Sequence, residues 1–428
     1  MSQKPSAALT CRSCGSSHLA GVLDLGKTPL ADALLTEQQI ATPSPIFPLE
    51  LFFCADCSLV QIGETVPPDV VFDKDYPYYS SFIDIVVQNA RENVRDVLSG
   101  RQLGPGSLAV ELASNDGYLL RNFVERGIPV LGIDPAPGPA EAARKQGVPT
   151  LCTFFGRDLA EQLRKEGRQA DVIFGNNVLA HVADTNGFVE GIRILLKPDG
   201  VAVIEVPYVR DLIEKVEFDT IYHEHLCYFS VTSLSHLFRR HGLHLNRVKP
   251  LPIHGGSLRI YVEPTERMDE SVRSMLAEEA AMGLTSQRFY EDFAHRVASL
   301  KSAVVGLLSK LRADGSRIAG YGAAAKGSTL LNYMDIGRDL IEYVVDRNTH
   351  KQGKFMPGKH IPIYPTEKLL DDRPDYVFLL AWNHAGEIIR QQRDYTQQGG
   401  RFVIPIPEPQ IVGADPVSAD GIPCKFDS

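Results

Sequence analysis

The sequence predicts an α/β protein with two Rossmann-like sheets and a small, metal-held domain in front of them. Three observations carry that prediction. Short apolar runs alternate with helical stretches from residue 107 to 206, a second alternation starts at residue 317, and two C-x2-C pairs stand near the N-terminus. Alternation of this kind implies parallel strands covered by helices, with ligands outside the carboxyl ends of the strands.

The first domain, residues 1–75, contains Cys11, Cys14, Cys54 and Cys57, while Cys152, Cys227 and Cys424 are scattered. Paired cysteines of this spacing in a reducing compartment are expected to bind metal and not to form disulfides. Four thiolates make a closed tetrahedral zinc site, although His18 could replace one sulfur. With no position open to water, the Zn2+ is expected to be structural. Prolines are frequent here ("PSPIFPLE", "VPPD") and apolar periodicity is weak, so the ion would supply what packing cannot.

The second domain, residues 76–264, opens with "SSFIDIVVQNARENVRDVL", in which Ile83, Val86, Val87, Ala90, Val94, Val97 and Leu98 recur at helical spacing. The runs "SLAVEL", "PVLGID", "DVIFGN" and "VAVIEV" follow as buried strands. The third domain, residues 265–428, starts with a helical connector in which Phe293, Val297, Leu300, Val304, Leu307 and Leu311 form one face. It continues through "RIAGYGAAAKGSTLLNY", "LIEYVVD" and "DYVFLLAWN" as another sheet.

The 428 residues are 44% apolar, with no run long enough to span a membrane, and "MSQKPSAALTCRSCG" lacks the apolar centre of a signal peptide. A cytoplasmic protein without a membrane partner is expected. A net charge of −9 argues against nucleic acid as the main partner but leaves room for a local phosphate site. The oligomeric state is not fixed by any of these features.

In "LAVELASNDGYLLRNF" a strand ends at Glu111, then Asn115, Asp116 and Gly117, with Ser114 just before them, form the turn ahead of a helix; the next strand ends at Asp134. An acidic residue at the tip of the second strand can accept from both ribose hydroxyls, which implies an adenosine-type ligand. The turn has one glycine where a dinucleotide fingerprint has three. S-adenosylmethionine, which has no pyrophosphate, meets that description. Asn176, Asn177 and His181 follow the strand that borders the methyl donor in such folds.

In the third domain "GYGAAAKG" places Gly320, Gly322 and Ala325 after a strand, and the next strand ends at Asp346. Alone, this fits an NAD fingerprint. Lys326 adds positive charge at the helix start, where backbone N–H groups already favour phosphate. In "HGGSLRIYV", Arg259 could serve a phosphate. In "FDTIYHEHLCYFS", His223, His225 and Cys227 would share one face of a strand, so a metal site is a competing reading of that stretch.

Across nearly the whole chain the order of motifs resembles the nucleotide-sugar C-methyltransferases that build branched deoxysugars. The matching elements are the four-cysteine domain, "ELASNDGYLL", "GNNVLAHV", "FDTIYHEHLCYFS", "HGGSLRIYV", "GYGAAAKGSTLLNY" and "VVDRNTHKQGKFMPG". The resemblance implies a class I S-adenosylmethionine methyltransferase core between the zinc and C-terminal Rossmann-like domains. It also implies methyl transfer to C3 of a 4-keto deoxysugar on a nucleoside diphosphate, expected to be thymidine-linked.

On this resemblance His225 is the base, with Glu224 as its partner or as an alternative base, and Tyr222 is a donor near the enolate. Tyr76 and Tyr79 lie beside the donor methyl and the sugar, and His181 bonds to the ketone oxygen. Lys326, Asp346, Asn383 and Lys354 contact the sugar nucleotide, which is expected in a cleft between the sheets. An NAD-dependent oxidoreductase and a non-catalytic, zinc-stabilised binding module remain the competing functions.

Overall fold

A computed structural model describes residues 9–67 and 79–413. The chain forms two compact units. The first contains residues up to Ala20, Phe52–Arg210 and Leu226–Phe289; the second contains Gly21–Leu51, Asp211–His225 and the chain from Tyr290. A four-stranded sheet has the order β1 (Leu19–Thr28), β2 (Phe47–Cys54), β3 (Val60–Ile62), β9 (Cys227–Tyr228). The first two strands change unit along their length.

The first unit is built on a seven-stranded sheet. Its central strands β4 (Ala109–Leu112), β5 (Val130–Ile133), β6 (Thr150–Leu151), β7 (Ala170–Asn176) and β8 (Leu196–Pro207) are parallel. β10 (His244–Leu251) and β11 (Ser257–Glu263) extend it antiparallel, giving the order β10-β11-β8-β7-β4-β5-β6. That edge departs from the expected parallel sheet. A strand buried on both faces has the same apolar pattern in either direction, so pattern alone cannot set its sense. Strand order reverses at β4, which puts the loops after Glu111, Ile133 and Asn176 at one switch point.

The expected helix is α1 (Asp84–Gly100), with Val86, Val87, Ala90, Val94 and Val97 buried and Ile83 as its N-cap. The helices α2 (Pro137–Lys145), α3 (Arg157–Lys165), α4 (Thr185–Leu195), α5 (Val231–Arg240) and α6 (Glu270–Met282) follow. In the core, Phe123 and Phe174 are both fully buried with ring centroids 5.6 Å apart. Truncating either to alanine would cost about 3–5 kcal/mol.

The second unit contains α7 (Phe293–Ala313), whose buried face uses Leu308 where the sequence suggested Leu307. Its six-stranded sheet has the order β14 (Ile363–Tyr364), β13 (Val344–Val345), β12 (Ile318–Tyr321), β15 (Tyr376–Leu379), β16 (Arg401–Ile404), β17 (Gln410–Val412). All pairs are parallel except β16 with β17. The glycine turn after β12 sits at this sheet's own reversal point and leads into α8 (Ala325–Met334). Among the described residues, no helix is long and apolar enough to cross a membrane.

Candidate active site

The first unit holds the loops that follow β4, β5 and β7. Glu111 is buried at the end of β4, and neither carboxylate oxygen has a hydrogen-bond partner among the described residues. Burial, and then the carboxylates of Asp116, Asp134 and Glu205, push it well above the usual carboxylate range. Asp134 accepts from Asn115 N and Ala136 N, each at 2.8 Å, and each oxygen keeps a second lone pair for a hydroxyl. Ser114 Oγ is buried without a partner among the described residues, and a Cβ on Gly132 would lie 2.5 Å from it and 2.7 Å from Thr150 Oγ1, which favours glycine there.

Asn115 and Gly117 take the left-handed backbone of the turn (φ 48° and 80°). Ser80 N donates to Asn115 Oδ1 (2.8 Å), and Ser81 N donates to Asp116 Oδ2 (3.2 Å), which fixes a one-turn helix on the loop. Tyr79 precedes that turn, and its hydroxyl would lie 2.7 Å from a Cβ on Gly138. Tyr76 lies outside the described residues. Asn176 ends β7 with Nδ2 3.4 Å from Tyr118 Oη; Asn177, at φ 52°, donates its N–H to Glu205 O at 2.8 Å. His181 closes a short turn, half-buried. Buried acids, of which Glu111 has no hydrogen-bond partner among the described residues and Asp134 keeps lone pairs to accept with, suit a ligand with a sulfonium, an ammonium and two ribose hydroxyls.

Arg259 corrects an expectation. Its side chain is fully buried; Nε donates to Glu205 at 2.7 Å, Nη1 pairs with Asp96 at 3.3 Å, and Nη2 donates to Asn89 Oδ1 at 2.8 Å. Register explains this, because Arg259 is opposite Glu205 on β8, which in turn is opposite Asn176 on β7. A guanidinium held between Glu205 of the sheet and Asp96 of α1 does not reach a phosphate. It belongs to the support of Asn176. Arg259→Ala would leave Glu205 buried and uncompensated, an expected loss of about 3–5 kcal/mol by urea unfolding. A loss below about 1 kcal/mol would contradict that role.

The second unit carries the acid/base cluster. Residues 222–225 form a turn and not a strand, so His223 and His225 do not share a face. His223 Nε2 donates to Pro48 O at 3.1 Å, packed edge-on to Phe47. The metal reading of this stretch loses its premise. His225 Nδ1 lies 2.9 Å from Thr220 O, and Nε2 lies 2.8 Å from Tyr222 Oη. A carbonyl only accepts, so Nδ1 carries the hydrogen; neutral His225 then has its lone pair on Nε2, where it accepts from the Tyr222 hydroxyl.

The tautomer is therefore set by a backbone carbonyl, where Glu224 was expected as the partner of His225. Glu224 is buried, and burial followed by Asp32 raises it well above the carboxylate range against the pull of Lys351. Helix α8 brings these segments together: Ser328 Oγ donates to Ala31 O (2.7 Å) and Thr329 Oγ1 to Ile221 O (3.2 Å). The sequence offered no local sign of Asp32, which stands far from the motif it adjoins.

At the start of α8, Lys326 Nζ is 4.4 Å from the centroid of the Trp382 ring and has no hydrogen-bond partner among the described residues. Trp382 Nε1 donates to Asp219 Oδ2 at 2.7 Å. Burial pushes Glu217 up to about 7 and raises Asp219, both opposed by Lys326. Asn383 Oδ1 is buried and has no hydrogen-bond partner among the described residues. Asp346 accepts from Ala323 N and Asn348 N, each at 2.7 Å, and so ties down the turn in which Gly322 adopts φ 91°. Lys351 Nζ donates to Ala323 O at 2.7 Å, whereas Lys354 N donates to Lys351 O at 3.3 Å and Lys354 O accepts from Ile363 N at 2.9 Å.

The four paired cysteines meet at one point in the first unit. Cys11 and Cys57 sulfurs are 3.5 Å apart, Cys14 and Cys54 3.6 Å, and all four lie within 4.8 Å of one another. Zinc–sulfur bonds of about 2.3 Å in a tetrahedron need sulfur separations of roughly 3.8 Å, so the group fits Zn2+. Asn186 Nδ2 donates to Arg12 O and Ser13 O (2.8 and 3.1 Å), which docks the first knuckle on α4.

Known proteins share these parts. A zinc-binding-domain family model matches residues 11–72, a methyltransferase-domain model residues 89–248, and a C-methyltransferase C-terminal-domain model residues 252–407. C-methyltransferase NovU of Streptomyces niveus is 38% identical over 408 residues, 95% of this chain and 97% of that protein. Ubiquinone biosynthesis O-methyltransferase of Azorhizobium caulinodans is 28% identical over 120 residues, 26% of this chain and 47% of that one.

Two solved structures align with lower similarity. The glycopeptide N-methyltransferase MtfA complexed with S-adenosylmethionine is 13% identical over 42% of this chain and 94% of its own (TM-score 0.32). Magnesium protoporphyrin IX methyltransferase from Synechocystis PCC 6803 is 13% identical over 41% and 79% (TM-score 0.32). With a zinc domain, a donor-binding sheet and near full-length similarity to NovU, this chain belongs to the S-adenosylmethionine-dependent C-methyltransferases.

Proposed function

We propose that the chain methylates C3 of a nucleoside-diphosphate-linked 4-keto deoxysugar, with His225 as the base. One observation carries this reading: His225 presents the Nε2 lone pair beside the Tyr222 hydroxyl while Thr220 O holds Nδ1–H. A proton on carbon next to a ketone is weakly acidic. A neutral imidazole can take it, provided a donor meets the charge that grows on the ketone oxygen.

In the proposed reaction Nε2 removes the C3 proton, and the C–H electron pair becomes the enolate. As Nε2 gains its hydrogen it stops accepting from Tyr222, whose hydroxyl can then turn to the enolate oxygen. His181 is proposed as a second donor there, and Tyr79 as a wall beside the methyl group. S-adenosylmethionine would be held by Glu111, Ser114, Asn115, Gly117, Asp134, Asn176 and Asn177 and would supply the methyl group: as C3 forms the new C–C bond, the S–CH3 bond would break with its electron pair staying on sulfur. Glu224, raised by its own burial and by the neighbouring Asp32, suits a neutral acid that orients substrate better than it suits a base.

Lys326 Nζ at the start of α8 and Asn383 Oδ1 in the turn after β15, both buried atoms without hydrogen-bond partners among the described residues, are proposed to meet the pyrophosphate and sugar, with Asp346 holding the turn. The same turn would suit NAD, and one assay separates the two. With a thymidine diphosphate 4-keto deoxysugar and S-adenosylmethionine, one methyl group per sugar and one S-adenosylhomocysteine per turnover are expected, with no NADH consumed. Consumption of NADH without methylated product would overturn the proposal.

A further inference from the structure

Glu279 of α6 is fully buried and far in sequence from every motif above. Its carboxylate accepts from Tyr208 Oη (2.8 Å), Val231 N (2.7 Å), Thr232 N (2.8 Å) and Thr232 Oγ1 (2.6 Å). All four partners are donors, which is the number a carboxylate accommodates on its two oxygens. Their positions matter more than their number. The chain leaves the first unit after Arg210 and re-enters it at Leu226, and Asp211–His225, with Tyr222 and His225, belongs to the second unit.

Tyr208 stands just before that departure, and Val231 and Thr232 stand just after the return. Glu279 therefore bonds to both ends of the excursion at once. The ends also touch directly: Val209 N donates to Phe229 O at 2.9 Å, and Tyr208 and Phe229 form a bridge. Val231 and Thr232 open α5, whose first-turn N–H groups have no partner inside the helix, so a carboxylate is favoured there. Glu278, the adjacent residue of α6, lies 3.6 Å from Arg210, whose guanidinium stacks 4.6 Å from the centre of the Tyr208 ring.

We propose that Glu279 is a positioning residue for methyl transfer: a buried clasp, bonded to Tyr208 on one side and to Val231 and Thr232 on the other, that fixes where the His225-bearing segment begins and ends. The inference rests on the reading of His225 as the base. A small displacement of a base costs about a hundredfold in rate without altering ligand affinity. A merely structural acid would instead lower the folded fraction and reduce every activity alike.

The test uses the full-length zinc-bound protein. S-adenosylhomocysteine affinity is measured by calorimetry, and single-turnover methyl transfer and solvent deuterium exchange into a 4-keto sugar nucleotide are followed at saturating ligand. Glu279→Ala is expected to slow exchange and transfer about 10- to 100-fold, with S-adenosylhomocysteine affinity within about twofold of wild type. Glu279→Gln, which retains one acceptor oxygen, should fall between the two.

Should Glu279→Ala fail to fold, Tyr208→Phe and Thr232→Val each delete a single donor, and each should slow both steps measurably at unchanged affinity. Wild-type rates in a folded Glu279→Ala, or in both single-donor variants, overturn the inference alone. A wild-type protein inert toward keto sugar nucleotides in both assays overturns the substrate reading, and the clasp's role with it.

Discussion

Replacing His225 with asparagine is expected to lower methyl transfer by about 10²–10⁴-fold, the range that a positioned general base supplies, while methyl-donor affinity stays unchanged. The amide can still donate to Thr220 O, which His225 Nδ1 reaches at 2.9 Å, so the turn has a substitute for its internal bond. It cannot accept a proton from carbon at neutral pH. Tyr222→Phe should cost less, since it removes the hydroxyl on Nε2 but leaves the lone pair. Single-turnover rates with labelled methyl donor distinguish the two, and comparable losses in both would argue that the phenol and not the imidazole is the central group.

Removing the metal is the second large perturbation. Four sulfurs within 4.8 Å cannot all ionise without a cation: Cys54 is pushed up to about 11 by burial even while Cys11 is drawn down to about 5 by Cys57. Structural zinc in comparable small domains is worth about 10–16 kcal/mol. Chelation, or Cys57→Ser, should therefore unfold the knuckles around Cys11 and Cys54 and free the Arg12 and Ser13 carbonyls from Asn186. Limited proteolysis should cut within residues 9–67 first. A hydrophobic core cluster of the first unit draws on residues 83–261 and not on the zinc segment, so S-adenosylhomocysteine binding should survive. Full-length protein resistant to protease after complete zinc removal would refute this.

What the sequence could reveal follows from how local each signal is. Cysteine spacing, strand–helix alternation and the acids at strand tips are properties of short stretches, and they locate the zinc cluster, both sheets and the turns after β4 and β12. Strand sense is not local, so the antiparallel edge formed by β10 and β11 was invisible. Pairing across β8 and β11 is not local either. For that reason Arg259 looked like a phosphate ligand, when its partner was Glu205 opposite it in the sheet. Backbone carbonyls leave no mark in a residue pattern, which is why Thr220 O was missed as the group that sets the His225 tautomer. Asp32 beside Glu224, and Glu217 and Asp219 beside Lys326, depend on how distant segments pack.

Solvent deuterium exchange at C3 of a thymidine diphosphate 4-keto deoxysugar, with S-adenosylhomocysteine in place of the methyl donor, tests the base assignment most directly. Wild-type protein should wash deuterium into that position at a rate no slower than turnover, and His225→Asn should abolish the exchange. Exchange that persists undiminished in His225→Asn, or wild-type turnover with no detectable exchange under any donor-free condition, would contradict the account.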